Sequence, residues 1–178
     1  MTIQTERLTL RPFTMRDLKT THAYASDPEN TPYMMNLPNK RRKETKQFLR
    51  SVIAEWEKDP PRRYEFAMIF NGKHIGAVSL HNIDESGREC ELGWIIHKAH
   101  WNKGYATEAA RAVMDFARGL GVTYFYAHCD ARNGASFRVM EKLGMSLESE
   151  TVGWGRYKHG PMEEARELKY SNVQEAVK

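Results

Sequence analysis

The sequence of 178 residues has only two cysteines, Cys90 and Cys129. That argues against a disulfide framework. Both fall in apolar, strand-like segments, where they read as small buried hydrophobes of a reducing compartment. No apolar run approaches the roughly 18 residues that a membrane-spanning helix requires, so no membrane partner is expected. The opening Met1 to Arg7 lacks the basic-then-apolar order of a secretory signal, and the expected location is cytoplasmic. Neither a P-loop (Gly-x-x-x-x-Gly-Lys-Ser/Thr) nor a Gly-x-Gly-x-x-Gly dinucleotide fingerprint occurs. Zinc-finger spacing, an aromatic-rich RNA-binding signature and a basic helix with heptads are likewise missing. His97-x-x-His100 has no third ligand beside it, so no metal is expected.

What is present describes one globular domain, residues 1–178: hydrophobic residues make up 40% and charged residues 28%. A net charge of +4 suits an anionic partner, whether nucleic acid, an acidic protein or a phosphorylated cofactor. The densest basic cluster, Lys40-Arg41-Arg42-Lys43 with Lys46, reads as a solvated loop running into a helix. Nucleic acid is therefore disfavoured as the partner.

Arg7 to Arg11 alternates polar and apolar residues, the period of a half-buried strand. Thr14, with Asp17 three residues on, marks a helix start, and Ser26-Asp27-Pro28 ends that helix. Proline and asparagine between residues 28 and 40 mark a loop, after which a second helix runs from about Lys43 to Lys58. Three strands follow: Tyr64–Phe70, Lys73–His81 across an Asn71-Gly72 hairpin turn, and Arg88–Ile96. A third helix spans Gly104 to Arg118, a strand Val122 to Cys129, and a short helix Ser136 to Leu143. Met145–Val152 and Ala165–Tyr170 read as the last strands. The fold class is α+β (α/β) with a mixed sheet.

The informative stretch is His100-Trp101-Asn102-Lys103-Gly104-Tyr105-Ala106-Thr107-Glu108-Ala109. A loop leads into a helix here, and the first turn of a helix offers unpaired N–H groups and a favourable field for negative charge. Gly104 and Ala106 let an anion approach that backbone closely, and a pyrophosphate is the natural occupant; the same residues also make an ordinary glycine-headed helix start, and local physics does not separate the two.

These residues resemble the GNAT acyltransferase superfamily, and within it the branch containing ribosomal-protein N-terminal acetyltransferases. Four motifs in order carry the resemblance: Thr5-Glu6-Arg7-Leu8-Thr9-Leu10-Arg11-Pro12; Glu91-Leu92-Gly93-Trp94-Ile95-Ile96; the stretch around Gly104; and Asp130-x-x-Asn133-x-x-Ser136 followed by Glu141-Lys142-Leu143-Gly144-Met145. The resemblance implies a GNAT fold with about seven strands in a mixed central sheet flanked by about four helices. It implies acetyl-CoA as co-substrate. The pyrophosphate would lie on the amides of Asn102, Lys103, Gly104, Tyr105, Ala106 and Thr107. The pantetheine arm would lie along Trp94, Ile95 and Ile96, between two splayed strands, with Asn133 facing it. Trp101 stands where the family more usually has Arg or Gln. The acceptor would be a protein N-terminus, a polyamine, an amino acid or an antibiotic amine, near Met34 and Met35. The fold occurs as monomer and as homodimer, so the resemblance leaves oligomeric state open.

Direct transfer to an amine needs a base, an oxyanion donor and help for the leaving thiolate, but no protein nucleophile. The resemblance assigns the base to Glu91, with Glu89 two residues earlier on the same face as a substitute. It makes Ser136 the candidate acid for the leaving sulfur, as a proton or a hydrogen-bond donor, the other reading being a helix-start cap. The competing readings are a non-catalytic acyl-CoA sensor and a basic module associated with RNA or the ribosome.

Overall fold

A computed structural model describes residues 1–34, 36–156 and 162–172. The chain forms β1 (Ile3–Gln4), β2 (Leu8–Pro12), α1 (Leu18–Ala25), α2 (Arg42–Glu55), β3 (Tyr64–Phe70), β4 (Lys73–His81), β5 (Glu89–Ile96), α3 (Tyr105–Gly119), β6 (Tyr124–Asp130), α4 (Gly134–Lys142), β7 (Ser146–Arg156) and β8 (Met162–Ser171). One sheet holds all eight strands in the order β1-β2-β3-β4-β5-β6-β8-β7. The eighth strand beyond the expected seven is β1. Two residues show no alternation, so it is defined only by its pairing, Ile3 to Leu10 and Gln4 to Thr9.

Local chemistry accounts for the regular elements. Asn71 and Gly72 both have positive φ, 47° and 73°, as the tight turn between β3 and β4 requires. Thr14 N–H donates to Asp17 Oδ2 at 2.8 Å, opening the turn that leads into α1. Arg11 grips the same carboxylate with two hydrogen bonds of 2.7 and 2.8 Å. Cys90 and Cys129 are buried and free; burial pushes their thiols up to about 12 and about 11, as expected of packed, unreactive sulfur.

Hydrophobic residues divide between the two faces of the sheet. Under α3 and α4 lie Leu8, Leu10, Phe66, Val78, Leu92, Ala109, Val113, Phe125 and Met140 with their neighbours. Under α1 and α2 the smaller cluster of Phe13, Leu49, Val52, Ala67 and Ala77 is joined by Phe48 and Ile53. Trp56, by contrast, packs edge-on against Tyr64 and Phe66 in the larger cluster. It lies just past the end of α2 and is free to turn the other way.

One pairing is decisive for function. Every ladder is antiparallel except β5 with β6, which is parallel and extends only over Glu89 to Glu91. A parallel neighbour requires a crossover connection, and α3 supplies it. Beyond Glu91 the two strands part and leave a wedge-shaped gap in the middle of the sheet. No helix among the described residues is long and apolar enough to cross a membrane.

Candidate active site

The gap opens beside the start of α3, and the backbone of β5 lines one wall. His97 N–H donates to Ile75 O at 2.8 Å across β4. By the alternation of an antiparallel ladder, Ile95 then also faces β4, and the main-chain groups of Trp94 and Ile96 turn into the gap. The carbonyl of Ile96 is already taken: Trp101 Nε1 donates to it at 2.8 Å and Asn30 Nδ2 at 3.1 Å. Of the three residues assigned to the pantetheine arm, Trp94 presents both its amide and its carbonyl. Ile96 presents only its amide. Ile95 contributes a side chain, packed on the α1/α2 side.

Trp101 therefore has a task of its own, fastening the loop before α3 to the end of β5. In that loop Asn102 and Gly104 take left-handed φ values of 58° and 80°. The first helical hydrogen bond of α3 runs from Glu108 N–H to Gly104 O at 3.0 Å. The amides of Tyr105, Ala106 and Thr107 precede it and have no helical partner. The Tyr105 ring is buried against Phe70 and His100, so only its main chain is turned to the loop.

Arg7 braces the loop from the start of β2. Its Nε donates to Glu108 Oε2 at 2.6 Å, its Nη1 to Lys103 O at 2.9 Å, and its guanidinium lies over the Tyr105 ring at 4.7 Å. Thr5 Oγ1 and the Arg7 amide donate to the other oxygen of Glu108. A cleft of about 530 Å³ runs from the loop along α3, lined by Thr5, Arg7, Gly104, Thr107, Arg111 and Lys142 among others. Arg7→Ala is expected to loosen the loop and weaken acetyl-CoA binding roughly tenfold, about the worth of one charge-assisted hydrogen bond. Calorimetric titration would check it. Retained affinity would mean that the loop holds its shape unaided.

At the apex of the gap sits Glu91. His128 Nδ1 lies 3.0 Å from its Oε1, and Asn82 Nδ2 donates to its Oε2 at 2.7 Å. Burial pushes the Glu91 carboxyl upward, but the His128 and Asn82 hydrogen bonds and the nearby imidazoles outweigh it and hold its pKa below the ordinary value. The same contact raises His128. Each group favours the charged form of the other across the two strands that diverge. Glu89, the substitute, is exposed at the start of β5 and contacts the Asp84 turn through its backbone.

Asn133 is the N-cap of α4, its side chain accepting from Ser136 N–H at 3.2 Å. Ser136 thus lies in the first turn, where it offsets a small part of the rise in the Cys129 thiol on β6. Met34 is half-buried in the loop between α1 and α2; Met35 lies outside the described residues. The same loop touches both walls of the gap. Asn30 accepts from Lys98 N–H at 2.6 Å on the β5 side. Tyr33 stacks under Arg132 at 5.7 Å on the β6 side. Sequence reasoning missed Asn30, Tyr33 and His128, whose partners lie 37 to about 100 residues away. In the sequence Asn30 marked only a loop, and its burial became visible in the structure alone.

The sequence profile of the acetyltransferase (GNAT) domain matches residues 7–146. The chain is 26% identical over 148 residues to an uncharacterised N-acetyltransferase, p20, of Bacillus licheniformis, covering 83% of each. It is 28% identical over 144 residues to spermidine N(1)-acetyltransferase of Escherichia coli K12, covering 80% of this chain and 75% of that one. Among solved structures, an acetyltransferase of the GNAT family from Bacillus anthracis superposes with a TM-score of 0.81 at 27% identity, covering 96% of this chain and 97% of the other.

Proposed function

This chain belongs to the acetyltransferase (GNAT) family, and from that premise we propose that it carries the acetyl group of acetyl-CoA directly to a primary amine in a ternary complex. The observation that carries this reading is the parting of β5 and β6 after Glu91, next to a helix start with unpaired amides. The gap can take an extended arm against the Trp94 edge while Lys103 to Thr107 hold a pyrophosphate. Gly104 has no side chain to obstruct it. Acetyl-CoA supplies an activated thioester; the protein supplies placement and charge.

The acceptor approaches from the α1/α2 face, under the loop that spans the gap. Glu91 is ionised there and draws an ammonium group. Held by His128 and Asn82, it provides the fixed negative half of the base's task. Ser136, in the first turn of α4, donates a hydrogen bond to the leaving thiolate, and Asn133 fixes that turn. The four motifs support placement in the ribosomal-protein N-terminal branch, and the likeness to a spermidine acetyltransferase keeps polyamines among the acceptors. Both are cations, which suits the carboxylate at the apex.

Isothermal titration with acetyl-CoA, with ATP and NAD as controls, tests the reading. It would be followed by thiol release with spermidine and with a pentapeptide beginning in serine. Micromolar binding of acetyl-CoA alone is the expected result. A folded protein that does not bind it would sink the proposal.

A further inference from the structure

Gly93 precedes Trp94 on β5. On the α1/α2 face, a Cβ placed on Gly93 would stand 2.8 Å from Ser79 Oγ and 2.9 Å from His81 Nε2. Two polar groups of β4 therefore cover β5 where the gap begins, and glycine is what makes room for them. Ser79 Oγ and His81 Nε2 are 2.5 Å apart, and the Ser79 hydroxyl reaches Gly93 O at 3.4 Å. A hydroxyl has one proton to donate. If it donates to the Gly93 carbonyl, it accepts from Nε2–H, and the imidazole keeps its lone pair on Nδ1. Ser79 is buried at 3% exposure, whereas His81 is half-buried, and Nδ1 has no partner among the described residues.

We propose that His81 is the general base of the acetyl transfer and that Ser79 positions it in the Nε2-protonated tautomer. This rests on the amine-acetyltransferase reading above. The acceptor ammonium passes one proton to His81 Nδ1, directly or through one water. The freed lone pair forms the C–N bond at the thioester carbonyl. As the C–S bond breaks, its electron pair leaves on sulfur, and the surplus proton on nitrogen passes to that thiolate. The imidazolium then returns its proton to solvent, leaving an amide and a free thiol.

The surroundings suit a group that gains positive charge for a moment. Glu91, the register partner of His81, brings its ionised carboxylate from β5. Glu65 approaches from β3; burial pushes its carboxyl up, and His81 and Arg63, with Nε 3.2 Å away, only partly draw it back. From β6 His128 shares the Glu91 carboxylate, its Nδ1 3.0 Å from Oε1. Glu91 is less suited to taking the proton itself, because both its oxygens already accept hydrogen bonds. His74, the other histidine of β4, has both ring nitrogens engaged, by Thr20 and by Gly76 O.

Two measurements test the assignment. Long-range proton–nitrogen NMR of the intact protein with CoA should show His81 protonated on Nε2 and unprotonated on Nδ1; the opposite tautomer overturns the proposal. His81→Gln should lower kcat by about a hundredfold with spermidine or with the serine-initiated pentapeptide, and remove the acidic limb of the kcat/KM profile. Its acetyl-CoA affinity should stay within about twofold of wild type, which shows that the fold and the cofactor site persist. Ser79→Ala should show a smaller fall and an altered tautomer. Turnover by His81→Gln within about threefold of wild type would overturn the assignment, as would an acidic limb lost in Glu91→Gln instead. Wild-type protein that binds no acetyl-CoA would sink the broader reading instead. If neither acceptor is turned over, the tautomer decides.

Discussion

Gly104→Asp is expected to weaken acetyl-CoA binding by at least roughly a hundredfold, about 2.7 kcal/mol, while leaving the protein folded. Gly104 holds φ 80° at the N-cap of α3, and the amides after it are those assigned to the pyrophosphate. A carboxylate there would occupy the anion's place with the same sign of charge. The left-handed backbone also disfavours a side chain, although Asp and Asn tolerate that region better than most residues. Gly104→Asn separates the two effects, because it carries the same backbone cost without the charge. It is expected to retain most of the affinity. A Cβ at this position would also lie 3.3 Å from Arg7 Nη2, so part of the new charge would be neutralised at the expense of the Arg7–Glu108 pair. High salt should then recover some binding in the aspartate variant and little in the asparagine one. Equal affinity in all three proteins would place the phosphates elsewhere.

Gly76→Ala is expected to be the most damaging of these substitutions for stability. A Cβ on Gly76 would lie 2.3 Å from Ile95 O and 2.8 Å from Ile96 Cα. Those are backbone atoms of the neighbouring strand and cannot rotate away, so β4 and β5 would have to separate where β5 lines the gap. Overpacking of this kind costs about 3 kcal/mol or more, a fall in Tm of roughly 10 °C for a domain of this size. Gly119→Ala is the control: nothing lies within 4 Å of its Cβ, it closes α3, and its φ is not left-handed. It should be neutral or slightly stabilising. Thermal denaturation of both variants checks the contrast. If Gly76→Ala melted with wild type, β5 would be free to shift, and a rigid Trp94 edge could not be part of the site.

Features set by neighbours in the chain were legible from the residues. Asn71-Gly72 made its hairpin because both positions tolerate positive φ, and the motif at Gly104 opened α3 because a glycine there permits the turn into the helix. Strands β3 to β5 and their antiparallel order followed from alternation and turn chemistry. The short β1 was not legible, since two residues carry no period. The assignment of Glu91 located the apex of the gap, but its neighbours were hidden: Asn82, nine residues away, and His128, on a strand that arrives only after the α3 crossover. Ser79 and His81 read as ordinary strand residues until register placed them over Gly93.

By itself the sequence determined the family, the mixed α+β fold, and the glycine-headed start of α3. These depend on backbone dihedrals, capping and hydrophobic period, which act within a few residues. Tertiary structure alone decided which charges meet at the gap, that Ile96 O is already bound by Trp101 and Asn30, and that Arg7 braces the phosphate loop. The reason is physical: a proton's route and a carboxylate's pKa depend on groups within a few ångströms. Across a sheet, those groups come from segments tens of residues apart, brought together by register and crossover.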